Sequence, residues 1–192
     1  MRAVLVNVSD SVVEERGRLG IDKQDERWKG EWHFVNPPKR WHPRLNTDMT
    51  MVLGPLARRV GLEPYSDGTG LFAGPRDWRV PDQVYVRPDQ ETDEGVTGAE
   101  LVVELRSPGD ESHAKLPFYA ARGVTEVLIV DEDRRVELYR LDDSGTYQPV
   151  ADGGSAVLGV TFTTVAPLPA PGAARAQWPR LRIDWDGGSA EV

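Results

Sequence analysis

The stretch Glu100 to Pro108, ELVVELRSP, sets a glutamate, Glu104, inside an apolar run whose length and Leu/Val content suit a buried strand. An ionised carboxylate is tolerated in or beside a core only with a partner, because burial strips away its hydration. The chain must therefore fold so that a cation reaches Glu104. Side chains alternate along a strand, so Glu104 and Arg106 share one face while Val103 and Leu105 take the other. A Glu104–Arg106 ion pair is one way to compensate the charge, and a bound metal is another.

Around this strand the sequence reads as a mixed α/β arrangement. Residues 2–8 suggest a short strand, and Ser11 to Glu14 (SVVE) a capping box that opens a helix ending at Gly20. GEWHFV (Gly30 to Val35) alternates as a strand, and the proline-rich NPPKRWHP that follows is a loop. Apolar residues at three- and four-residue steps predict the main helix from about Pro43 to Val60, with Gly54 and Pro55 inside it. Leu62 to Ala73, Arg79 to Val86 and Leu101 to Leu105 read as a meander of strands. Lys115 to Arg122 then forms a helix with Pro117 in its first turn and Gly123 as its stop. TEVLIVDED and RVELYRLDD are two strands joined by an acidic turn, with weaker strand signals at 147–150 and 157–163. The proline- and alanine-rich APLPAPGAARAQWP reads as linker. The length suits a single domain over 1–192, with an N-terminal appendage of about 1–29 and a loop-rich C-terminal segment of about 164–192.

Composition narrows the function classes. The chain lacks cysteine, and its three histidines (His33, His42, His113) have no tight spacing, which argues against structural zinc. No apolar stretch approaches the roughly 18 residues of a membrane span, and the start lacks the order of a signal peptide, so a cytoplasmic protein without membrane contact is expected. A net charge of −8 opposes a surface built throughout for nucleic acid, but carboxylates that hold a divalent cation contribute to that figure, and PPKRWHPR (Pro37 to Arg44) is a local basic and aromatic patch. Trp28, Trp32 and Trp41 could offer stacking surfaces; with Phe34 they are read instead as sealing a small core against the N-terminal appendage. No glycine-rich phosphate loop precedes a helix, which disfavours an enzyme of small phosphorylated molecules.

Three charged residues then stand out in order: Asp82 after Pro81, Glu104 in its strand and Lys115 at a helix start. Only four of the 23 basic residues are lysines, and Lys115 is the last of them. Hydrolysis of a phosphodiester needs an activated water and relief of phosphate charge, which Mg²⁺ supplies when one or two carboxylates hold it and leave positions open. Adjacent strands would bring Asp82 and Glu104 to about 5 Å apart at the backbone. Lys115 can orient water or neutralise charge, and Arg106 can contact phosphate but is a poor base.

The series VPDQVYVRP, ELVVELRSPGDE, KLPFYAARGVTEVLIVD and RVELYRL, with RLGIDKQDERWKGEWHFVNPPKRWH upstream, resembles the bacterial restriction-endonuclease family called Uma-two, within the PD-(D/E)XK nuclease superfamily, over roughly residues 15–141. The resemblance implies a restriction-endonuclease-like α/β fold, a central mixed β-sheet flanked by helices, and Mg²⁺-dependent hydrolysis of DNA, with Mn²⁺ as a substitute. By position it assigns Asp82 and Glu104 as metal ligands. The superfamily's usual lysine two places after the acid is Arg106 here, and Lys115 matches a lysine supplied by the following helix. His42, at the first helix, and Glu31, in Gly-Glu, match as supporting residues. Relatives suggest a homodimer. The competing expectation is a nuclease-fold module that binds nucleic acid or a protein without cutting.

Overall fold

The computed structural model describes residues 3–5, 8–35, 38–66, 68–166 and 179–192. Its centre is a six-stranded mixed sheet built on two strands buried almost throughout, β8 (Leu101–Arg106) and β9 (Glu126–Asp131). These pair in parallel, from Leu101 opposite Glu126 to Arg106 opposite Asp131. A parallel pair needs a crossover, and here it consists of a 3₁₀ turn (Ser112–Lys115) and the short helix α3 (Leu116–Ala121). Antiparallel strands complete the sheet: β7 (Gln83–Val86) and β4 (Glu63–Ser66) beyond β8, β10 (Val136–Leu141) and β11 (Tyr147–Pro149) beyond β9.

Burial on both faces explains the near-continuous apolar sequence of β8 and β9. On one face Val103, Leu105, Leu128 and Val130 pack against Leu45, Met49, Leu53 and Leu56 of the long helix α2 (Trp41–Arg59). On the other, Val84, Val102, Val127 and Ile129 pack against Phe118 and Tyr119 of α3. Helix α2 begins two residues before the expected Pro43 and continues through Gly54 and Pro55. Pro55 removes one helical N–H, but it lies on the exposed side together with Met51, whose carbonyl would have accepted it. Gly123, at φ 67°, stops α3 in a left-handed conformation as its position in the sequence suggests.

A second, five-stranded sheet runs in the order β1 (Ala3–Leu5), β3 (Glu31–Phe34), β2 (Glu26–Trp28), β6 (Asp77–Arg79) and β5 (Leu71–Gly74). The expected single meander is therefore replaced. The stretch 62–73 divides into β4 and β5, which belong to different sheets, and the stretch 79–86 divides at Val80-Pro81-Asp82, where Pro81 cannot extend a ladder and the chain passes from one sheet to the other. Helix α1 (Asp10–Leu19) starts after Ser9, which makes no side-chain cap; Ser9 Oγ instead meets Ser11 Oγ at 2.9 Å, so the expected SVVE capping box does not form. Trp32 packs on Phe34 and Trp78, whereas Trp41 leaves that group and joins the α2 core.

The expected loop-rich C-terminus is corrected as well. The linker residues 167–178 lie outside the described part, but β14 (Arg180–Trp185) and β15 (Gly188–Glu191) form a hairpin beside β13 (Val160–Val165) and β12 (Gly154–Ser155). Leu181 and Ile183 are fully buried in the same core as α2. Truncation of Leu181 to Ala should cost about 2–5 kcal/mol through lost burial and the cavity left behind. Urea unfolding of the variant measures this; a change within about 0.5 kcal/mol would show the hairpin to be a surface appendage.

Candidate active site

Four elements converge on Glu104. The Val80–Asp82 segment lies against β8: the Asp82 backbone N–H donates to the Val103 carbonyl at 3.1 Å, and the Leu105 N–H donates to Asp82 Oδ2 at 2.6 Å. The Asp82 carboxylate is thus fixed beside the Glu104–Leu105 peptide. Its other oxygen, Oδ1, lies 3.3 Å from His42 Nε2 in the first turn of α2. Gln83 ties the same helix to β7, donating to Asn46 Oδ1 at 2.7 Å and to the Asn46 carbonyl at 3.0 Å.

Lys115 reaches Glu104 because the loop before it is tightly folded. Asp110 accepts the backbone N–H groups of Ser107 (2.6 Å) and Ser112 (3.0 Å), a local turn that shortens the path from β8 to α3. Glu111 lies 3.0 Å from His33 Nδ1 and attaches the loop to β3. Lys115, as the residue preceding α3, then sends its side chain inward. Its ammonium donates to Glu104 Oε1 at 2.8 Å and Oε2 at 3.0 Å, and it lies 2.7 Å from Glu26 Oε1. Tyr119, one turn along α3, donates its hydroxyl to Glu104 Oε1.

Glu26, on β2, is the residue that the sequence reading missed. Its carboxylate is fully buried, accepting the Val80 N–H at 3.0 Å on Oε1 and the Trp28 indole N–H at 2.8 Å on Oε2. Glu31, the expected supporting acid, is exposed and lines a separate cavity of ≈ 850 Å³ between β3 and α3. The available signal was the pair Glu26 and Trp28, two residues apart and therefore on one face of a strand.

Arg106 also departs from expectation. Its guanidinium lies 3.2 Å from Glu137 Oε1 and 3.6 Å from Asp131 Oδ2, so carboxylates of β9 and β10 hold it, while Lys115 serves as the cation of Glu104. His113 joins that outer group at 2.7 Å from Glu137 Oε2.

Accessibility is graded across the site. The His42 and Asp82 side chains retain 12% and 16% exposure, Glu104 4%, and Lys115 and Glu26 none. His42 also borders a cleft of ≈ 500 Å³ with Asn46, Thr50 and Ser66, which places the entrance at this end. Burial by itself would lower the His42 pKa; the hydrogen bond and charge of Asp82, the charge of Glu104 and a hydrogen bond to the Leu105 backbone outweigh it, and the net shift is upward. Among the described residues no group of three or more His, Cys, Asp or Glu is arranged to hold a metal ion. Asp82 and Glu104 carry carboxylate oxygens, the hard donors that Mg²⁺ takes from one or two protein residues, and both Glu104 oxygens accept from Lys115, so an ion there would share that carboxylate with the ammonium.

The pattern of the chain matches the family model described as Uma2, putative restriction endonuclease, over residues 19–165. The fold resembles the crystal structure of a putative nuclease belonging to DUF820 from Anabaena variabilis ATCC 29413, with a TM-score of 0.53 and 13% identity over 76% of this chain and 81% of that one. A search of curated proteins gave no match. No helix among the described residues is long and apolar enough to cross a membrane.

Two measurements follow from the geometry. Replacing Lys115 by Met would leave two buried carboxylates without their shared cation, so stability should fall by about 3–5 kcal/mol in urea unfolding; a loss below about 1 kcal/mol would mean that the pair carries little charge in the fold. In metal-free buffer, the stabilisation from protonated His42 should be complete below its ordinary value of 6.5 and disappear as pH rises through its raised folded-state value. The stability difference between wild type and His42→Asn should therefore shrink with rising pH, and a difference flat from pH 5 to 9 would contradict the pairing.

Proposed function

The chain belongs to the Uma2 family of putative restriction endonucleases, and from that premise we propose that it hydrolyses phosphodiester bonds in DNA with Mg²⁺ as cofactor. The observation that carries this reading is that the Asp82 carboxylate accepts the N–H of the peptide that follows Glu104, while the Glu104 carboxylate accepts from a buried lysine. Asp82 and Glu104 would hold the ion, which supplies charge relief on the phosphate and a nucleophilic water at neutral pH.

The remaining roles belong to the chain itself. Lys115 directs its ammonium to three carboxylate oxygens, so it neutralises and orients Glu104 rather than acting as a base. Tyr119 fixes the same carboxylate from α3. His42, at the entrance, orients Asp82 Oδ1, and the Leu105 N–H orients Oδ2. Both carboxylates are thereby preorganised, and preorganised charge acts without the cost of reorganisation during reaction. Arg106, committed to Glu137 and Asp131, is assigned no contact with phosphate.

Cleavage of plasmid and linear DNA by purified protein with Mg²⁺ or Mn²⁺ tests the proposal. Asp82→Asn changes a part-exposed site at constant shape and should lower the rate about 100-fold or more, equivalent to ~2.7 kcal/mol of transition-state stabilisation. If wild type leaves DNA and RNA intact under all such conditions, the hydrolytic reading fails and a non-cutting binding module of the same fold takes its place.

A further inference from the structure

Glu26 lies outside the set of residues that would meet metal or substrate. It is fully buried, it comes from the five-stranded sheet rather than the sheet that carries Glu104, and its side-chain oxygens take donors from three directions: Lys115, Val80 N–H and Trp28 Nε1–H. Two of these donors are neutral and fixed, one by backbone and one by an indole ring. The third is the ammonium that Glu104 also uses. Of these three donors, Lys115 is the charged one and the only one at the end of a long flexible side chain.

The surroundings reinforce this arrangement. The Trp28 ring stacks on His33 with centroids 4.1 Å apart and planes 11° apart, and the Arg79 guanidinium lies 4.2 Å from the Trp28 ring and 4.1 Å from the Phe118 ring. A cation sandwiched between two aromatic faces is attracted to both. Arg79 is itself buried, and one of its amino groups donates to the Arg27 carbonyl at 3.0 Å and to Asp77 Oδ1 at 2.9 Å. The series His33, Trp28, Arg79, Phe118 joins β3, β2 and β6 to α3, the helix that Lys115 opens.

We propose that Glu26 is a positioning residue for Lys115: it anchors the ammonium from the side opposite Glu104, so that the charge next to Glu104 keeps its place whatever else that carboxylate binds. Its kinetic consequence rests on the nuclease reading above, and its structural consequence does not. The five-stranded sheet is on this view part of the catalytic apparatus, acting through one carboxylate.

Lys115 is the single buried lysine of four, since Lys23, Lys29 and Lys39 are exposed, so protein labelled with ¹⁵N-lysine gives an ammonium signal that reports on it alone. The full chain should be compared with Glu26→Gln, which keeps the shape and removes the charge, and with Glu31→Gln on the neighbouring strand as control. Wild type and Glu31→Gln should both show one sharp, protected ammonium signal, and Glu26→Gln should broaden or lose it. In the cleavage assay Glu26→Gln should lower kcat about ten- to hundredfold, as a small misplacement does, with KM nearly unchanged. An ammonium signal in Glu26→Gln identical to wild type overturns the proposal, as does a change confined to KM. If wild type cuts no substrate, the hydrolytic reading fails by itself and the ammonium signal decides the role of Glu26 alone. Should Glu26→Gln not fold, Glu26→Asp keeps the charge but draws it back from Lys115 by one methylene; a weakened Lys115 signal then supports the anchor, and an unchanged one overturns it.

Discussion

A single buried ammonium joins the two sheets of this architecture. Lys115 stands between Glu104 and Glu26, with no solvent exposure and carboxylate oxygens at 2.7 to 3.0 Å. Either acid alone would be a buried charge costing several kcal/mol of desolvation, and the two together would repel. The lysine lets both exist, and with them a strand that carries a carboxylate into the sheet and a second sheet whose hairpin closes over it. Tyr119, Trp28 and the Val80 amide satisfy the oxygens further. The cluster is strong because each member is both paired and hydrogen-bonded.

The same cluster explains the position of the Val80-Pro81-Asp82 segment. Its first residue bonds Glu26 through the backbone and its last accepts from Leu105 through the side chain, so three residues connect the two sheets and place the Asp82 carboxylate. Proline in the middle removes a donor that neither ladder could use and restricts the backbone at the crossing. The Pro-Asp pair is thus a junction in the fold before it is a feature of the chemistry, and the Asp82 geometry depends on both sheets being in register.

Much of this was legible in the sequence where the signal was local. Glu104 stood out because a carboxylate inside LVVELR demands compensation, and Lys115 because it is the only lysine after Lys39 and stands at a helix start. Their distance was not legible: it depends on Asp110 folding the loop through two backbone donors, a turn hidden in an unremarkable SPGDES. Glu26 was missed because its role depends on pairing with β6, about fifty residues away, where Arg27 faces Trp78. Glu31, five residues on in the same hairpin, carried the more visible Gly-Glu pattern but points to the surface. The C-terminal hairpin was obscured by the proline-rich stretch before it, although Leu181, Ile183 and Trp185 alternate as a half-buried strand should.

Charge poses the remaining question, since an acidic protein meets a polyanion only where its local field permits. Of the net −8, the three site carboxylates and Lys115 contribute −3 + 1 = −2, leaving −6 over the rest of the chain. Under the proposed function, that net negative charge opposes a polyanion in general, and a local basic segment has to supply the attraction. Lys39 and Arg44 are exposed and lie on either side of His42 in sequence, with Arg40 exposed between them. Their ion pairs with Glu132 and Asp48, at 3.9 and 3.6 Å, are long and solvent-screened. A phosphate could displace such partners at little cost. The basic segment therefore marks the same end of the site as the more accessible pair His42 and Asp82, and under the proposed function a phosphate backbone drawn to it would arrive beside the carboxylates.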